Sequence, residues 1–85
     1  MSYSLYIVRC ADGTLYTGIA VDVTRRVMQH NGEKRSGARY TSARRPVRLV
    51  YQAKFPTRSA ASIEEARIKR LTRAEKQQLI DEGTR

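Results

Sequence analysis

Two short apolar runs stand near the start of the chain, residues 5–10 and 14–19, on either side of Ala11-Asp12-Gly13. Runs of this length bounded by turn residues predict the two strands of an antiparallel hairpin. Two turns suit the junction. A three-residue loop with Gly13 in the left-handed region sets Val8 opposite Tyr16 and Tyr6 opposite Gly18, so both tyrosines share a face. A two-residue Asp12-Gly13 turn pairs Ala11 with Thr14 and sends the tyrosines to opposite faces, because a one-residue slip inverts every side chain.

The pattern then becomes helical. Asp22 predicts an N-cap and Gly32 a stop, and at about 3.6 residues per turn Val23, Arg26, Val27 and His30 form one stripe, with Arg25 and Gln29 pointing elsewhere. Residues 32–46, rich in Gly, Ser, Lys and Arg, predict a long loop. Residues 47–54 predict a third strand, with Val47, Leu49 and Tyr51 alternating with Arg48, Val50 and Gln52. A second helix starts at Thr57 or Ser59 and runs to about Leu71, with Ala60, Ala61, Ile63, Ile68 and Leu71 as its apolar positions. Thr72 and Glu75 have the spacing of a capping box, and Leu79 and Ile80 anchor the third helix. The expectation is one α/β domain over residues 1–85: a small three-stranded antiparallel sheet flanked by helices, in the order ββαβαα.

Charge narrows the choice of partner. Seventeen Lys and Arg against eight Asp and Glu give a net charge of +9 on 85 residues. So basic a body attracts polyanions, nucleic acid first among them. In the loop, Lys34, Arg35, Arg39, Arg44 and Arg45 surround Tyr40, a composition suited to neutralising phosphates and stacking on a base. Cys10 is the only cysteine and His30 the only histidine, which excludes an intrachain disulfide and ordinary structural zinc chemistry. A catalytic metal would have to be held by carboxylates, hence Mg²⁺ or Mn²⁺. Nothing at the N-terminus resembles a signal peptide and no apolar run has membrane-spanning length, so a cytoplasmic protein is expected. On the second helix, Glu64 falls near the middle of the apolar stripe and Glu65 at its edge. Either could ligate a metal or pair with Arg67 or Lys69, and periodicity does not choose.

Tyr6 in "LYIV", "YTG" over 16–18 and "DVTRRVMQHN" over 22–31, followed by "ARYTSARRPVRLVY", "EARIKRL" and "RAEKQQLI", resemble the GIY-YIG nuclease superfamily, in particular its small stand-alone bacterial members. The resemblance covers nearly the whole chain. It departs from the superfamily name in reading "SLY" for Gly-Ile-Tyr and "YTG" for Tyr-Ile-Gly, and it lacks the late asparagine of several homing and repair members. The resemblance implies a hydrolytic nuclease using one divalent ion, with Tyr6 and Tyr16 as paired phenols, Gly18 allowing close approach, Arg26 and His30 on the first helix, and Glu65 as the metal-binding carboxylate. Arg25, Lys34, Arg35, Arg39, Tyr40, Arg44, Arg45 and Lys69 are the expected nucleic-acid contacts, with DNA favoured over RNA.

Those residue types suit phosphodiester hydrolysis. A metal on a carboxylate polarises a phosphate oxygen, and an arginine fork matches the phosphate. A tyrosine is an awkward base, with a reference pKa of about 10, and nearby positive charge would favour its phenolate. Tyr6 or Tyr16 is the expected base. The alternative is a non-catalytic DNA- or RNA-binding module on the same scaffold, suggested by the missing late asparagine.

Overall fold

The hairpin decides where the tyrosines point. In the computed structural model, which describes residues 2–31 and 45–83, β1 (Tyr3–Arg9) and β2 (Leu15–Ala20) pair antiparallel with Val8 opposite Tyr16 and Tyr6 opposite Gly18. The loop is the three-residue one. Cys10 N–H donates to the Thr14 carbonyl at 2.8 Å, Gly13 N–H donates to the Cys10 carbonyl at 2.9 Å, and Gly13 has φ +86°. Asp12 Oδ1 accepts from both the backbone N–H and the hydroxyl of Thr14, fixing the turn from within.

Each predicted N-cap forms. Asp22 accepts from Arg25 N–H at 3.0 Å and opens α1 (Val23–His30). Thr57, rather than Ser59, accepts from Ala60 N–H at 3.1 Å and opens α2 (Arg58–Lys69). Thr72 and Glu75 satisfy each other's backbone N–H groups at 2.8 and 3.2 Å, starting α3 (Arg73–Gly83). Such caps replace hydrogen bonds that the first helical turn lacks and contribute about 1 kcal/mol each.

The third strand, β3 (Arg48–Phe55), lies against β1, giving the sheet order β2-β1-β3 with both pairings antiparallel. Its predicted alternation fails at one point. Ile7 faces Tyr51 while Val8 faces Leu49, so Val50 is the extra residue of a bulge. Leu49 and Tyr51 therefore do not share a face, and Val50 and Tyr51 both pack on the same cluster.

The sheet separates two apolar layers. On one face Tyr6, Val8, Cys10, Val23 and Val47 are buried, with Tyr16, Ala20 and Val27 against them beneath α1. On the other, Leu5, Ile7, Ile68 and Ile80 are buried under α2 and α3, with Leu15, Tyr51, Phe55 and Leu79 around them. Ile63 does not join the second layer as expected. It is 70% exposed, and the buried ridge of α2 consists of Ala61 and Ile68. Among the described residues no helix is long and apolar enough to cross a membrane.

Asn31 closes the frame. As C-cap of α1 its side chain donates to the Val47 carbonyl at 3.0 Å and accepts from Val47 N–H at 2.6 Å, copying a strand's pairing pattern across 16 residues. Arg45 Nε adds a bond to the His30 carbonyl at 2.9 Å. The end of α1 is thus tied to the start of β3.

Gly13→Ala tests the hairpin. It puts a Cβ on a residue with positive φ, and urea unfolding should show a loss of about 1 kcal/mol or more. An unchanged midpoint would mean that the turn relaxes to another geometry.

Candidate active site

Tyr6 is 1% exposed, and its hydroxyl lies 2.8 Å from Nε2 of His30, itself 0% exposed. The close fit depends on Gly18. A Cβ there would sit 2.6 Å from the Tyr6 hydroxyl oxygen and 2.7 Å from Cζ, so the phenol lies directly over the glycine of the neighbouring strand. Glycine is required by this contact, not by its φ. Tyr16, two residues before Gly18 on the same face, completes the aromatic group. The His30 ring meets Tyr6 edgewise at 5.8 Å between centroids and Tyr16 at 5.2 Å.

Arg26 enters from one turn earlier on α1. Its guanidinium hydrogen-bonds the Tyr6 phenol, and its Nη1 donates to Gln29 Oε1 at 2.9 Å. A guanidinium can only donate, so the phenol oxygen accepts from Arg26, while the tautomer of His30 sets which partner donates in its bond to the phenol. The hydrogen-bonded set therefore runs Arg26, Tyr6, His30. Gln29 belongs to this group: the helical stripe had turned it elsewhere, but it is half-buried and steadies the arginine.

Burial dominates the protonation of both buried members. It pushes the Tyr6 phenol above its usual pKa of 10.0, outweighing Arg26, which acts in the opposite sense. The expected phenolate is therefore not favoured at Tyr6. Burial, with the positive charge of Arg26 added, lowers His30 from 6.5 to about 4. At neutral pH, Tyr6 is a phenol and His30 a neutral imidazole.

The two glutamates of α2 separate once the buried ridge is known. With Ile63 outside it, Glu64 and Glu65 flank the Ala61–Ile68 line on opposite sides, being about 100° apart on the helix. Glu64 is held by both arms of Arg67, at 2.7 and 2.6 Å, which keeps its carboxyl below the usual range, and Arg67 in turn senses Tyr51 on β3. Glu65 lies on the other side, where its charge reaches Tyr6; Lys69 pairs with it at 3.3 Å. Lys69, expected at nucleic acid, spends its charge within α2 here.

The structure thus brings Tyr6, Tyr16, Gly18, Arg26 and His30 into one group, with Glu65 in its electrostatic reach. Arg25 is exposed on α1, and Arg45 is exposed while bonded to the helix end. Lys34, Arg35, Arg39, Tyr40 and Arg44 lie outside the described residues, as does the predicted stop at Gly32. Sequence reasoning gave no part to Gln29 or to the clamp by Asn31. A polar residue three positions after an arginine on a helix was the available signal for the first.

A three-stranded sheet with paired tyrosines over a strand glycine, backed by an Arg–Gln–His helix, defines a nuclease-type scaffold. The chain belongs to the GIY-YIG family: the model of the GIY-YIG catalytic domain matches residues 2–78. Its relatives include a UPF0213 protein of Haloquadratum walsbyi, 54% identical over 80 residues, covering 94% of this chain and 88% of that protein. A UPF0213 protein of Staphylococcus epidermidis is 53% identical over 79 residues, covering 93% and 94%. The solution NMR structure of a UPF0213 protein from Bacillus halodurans is similar at a TM-score of 0.63 and 40% identity, covering 99% of this chain and 88% of that one.

Because His30 is the only histidine, its titration can be read without assignment ambiguity. The fold favours the neutral ring, so this stabilisation is complete above the unfolded pKa of 6.5 and is lost as pH falls toward about 4. NMR should show a midpoint near 4, and unfolding experiments a loss of roughly 3 kcal/mol across that interval. A midpoint between 6 and 7 would contradict a buried, Arg26-facing imidazole.

Proposed function

We propose that the protein is a divalent-metal-dependent endonuclease that hydrolyses phosphodiester bonds in DNA, branched or damaged duplexes of the repair and recombination type being its substrates, in the cytoplasm. The observation that carries this reading is the hydrogen-bonded set of Arg26, Tyr6 and His30, beside Tyr16 and within reach of Glu65. Residues 1–85 act as a single GIY-YIG domain in this reading. Family membership supports a nuclease scaffold, and the net charge of +9 supports a polyanionic substrate.

The donor set suits a hard cation arriving with its substrate. Among the described residues no three His, Cys, Asp or Glu side chains gather into a metal cage. Glu65 is a single carboxylate, one quarter exposed, which an ion such as Mg²⁺ or Mn²⁺ can share with water and substrate phosphate oxygens. Held there, the ion would supply Lewis acidity at the phosphate and stabilise the leaving oxygen.

The remaining roles fall to the chain's own groups. Arg26 holds a nonbridging phosphate oxygen, its fork steadied by Gln29 and Tyr6. Tyr6 is shut from solvent, keeps its proton and is hydrogen-bonded to His30, so it orients the arginine and the imidazole. Tyr16, half-buried on the same face, is the phenol open to a water molecule and acts as the general base.

Nicking assays on branched, nicked and plain duplexes with Mg²⁺ or Mn²⁺ test the reading. Wild type should cleave only with metal, and Glu65→Ala and Arg26→Ala should each lose about 100-fold or more in rate. Tyr16→Phe should reduce single-turnover rate by a comparable factor while leaving DNA affinity within about twofold. Metal-independent cleavage, or salt-sensitive binding with no cleavage at all, would overturn the enzyme assignment; the latter result fits the binding module.

A further inference from the structure

The end of the sheet beyond β1 carries an arrangement that the nuclease site does not use. Arg9 and Arg48 are direct cross-strand partners, so two guanidinium-bearing residues stand on the same side of neighbouring strands. Like charges placed opposite each other destabilise a sheet unless a counter-charge lies between or beside them. Cys10, Ala11, Pro46 and Val47 join the two arginines around an open cavity of about 410 Å³, and among the described residues no carboxylate lines it.

Internal partners leave much of this charge unanswered. Arg9 Nη2 donates to Gln77 Oε1 on α3, and Gln77 Nε2 donates to Asp81 Oδ1 at 2.9 Å, so among the described residues a neutral amide stands between Arg9 and this carboxylate. Arg9 Nε is buried and has no acceptor among the described residues. Arg48 is exposed. An apolar floor of Cys10 and Val47, both buried, leaves the arginines as the polar wall of the cavity.

We propose that the Arg9–Arg48 cavity is a second phosphate-binding subsite, taking a backbone phosphate of the bound nucleic acid away from the one undergoing hydrolysis. The class of ligand follows from the wall: two neighbouring planar forks suit a tetrahedral oxyanion. Arg9 is three residues along β1 from Tyr6, an odd step that turns it to the α3 side of the sheet, so the cavity sits at the sheet end and away from the α1 face. That the phosphate belongs to a substrate rests on the nuclease reading, whereas phosphate binding by the cavity does not.

Arg48, exposed and outside both apolar layers, can be replaced with little risk to the fold. In the Glu65→Ala background, which keeps the DNA intact, anisotropy with a labelled duplex gives log K against log salt with and without Arg48→Ala. Loss of one phosphate contact should lower the slope by about 0.9 and weaken binding several-fold at low salt. Arg48→Lys, which keeps the charge, should recover most of the slope. Separately, inorganic phosphate added to the wild-type chain should shift the amides of Cys10, Ala11 and Arg48 saturably in NMR, and Arg48→Ala should abolish those shifts. An unchanged slope overturns the proposal, including the case where free phosphate still binds, since the site would then be an anion pocket unrelated to nucleic acid. A lowered slope in a protein that never cleaves leaves the subsite standing and removes the nuclease reading.

Discussion

The hydrogen bond between the Tyr6 hydroxyl and His30 Nε2 organises this protein, because it can form only where three separate elements meet. The hairpin must adopt the three-residue loop so that Tyr6 lies over Gly18. The end of α1 must deliver His30 to the same face, and the tie of Asn31 to Val47 must hold that helix end against β3. Both side chains are removed from water, so breaking the bond leaves a buried donor without its acceptor, at a cost of about 1–3 kcal/mol. That cost gives the contact its structural weight.

The same contact sets the chemistry of the group. Desolvation raises the phenol and lowers the imidazole, and both end up neutral at physiological pH. Arg26 is therefore the fixed positive charge at the centre, with Glu65 the carboxylate in its electrostatic neighbourhood. A neutral aromatic frame thus surrounds one guanidinium. Glu64 is removed from that neighbourhood by its two-armed pairing with Arg67 on the far side of α2.

Much of this was legible in the residues. Asp22, Thr57 and the Thr72–Glu75 box announced the helix starts, because cap residues act through backbone groups three positions away and need no distant partner. The stripe of Val23, Arg26, Val27 and His30 was equally readable, since helical angle alone places them together. The errors fell where distant packing intervenes. A bulge opposite Ile7 and Val8 divided Leu49 from Tyr51, and Ile63 stayed in solvent although its neighbours in sequence were apolar. Gln29 was placed off the stripe by angle, but the reach of Arg26 drew it in.

Local chemistry along the chain thus determined the elements, their order, the caps and the residue types able to act on a phosphate. Two choices lay beyond it. Asp12-Gly13 suited either turn, and only the whole sheet, with α1 beneath Tyr6 and β3 against β1, fixes the register that brings the tyrosines to one face. Glu64 and Glu65 are adjacent on one helix, and only the burial of Ala61 and Ile68 reveals which side each occupies. The physical reason is shared: a one-residue step inverts a strand and turns a helix by about 100°, so orientation depends on which face the rest of the molecule covers.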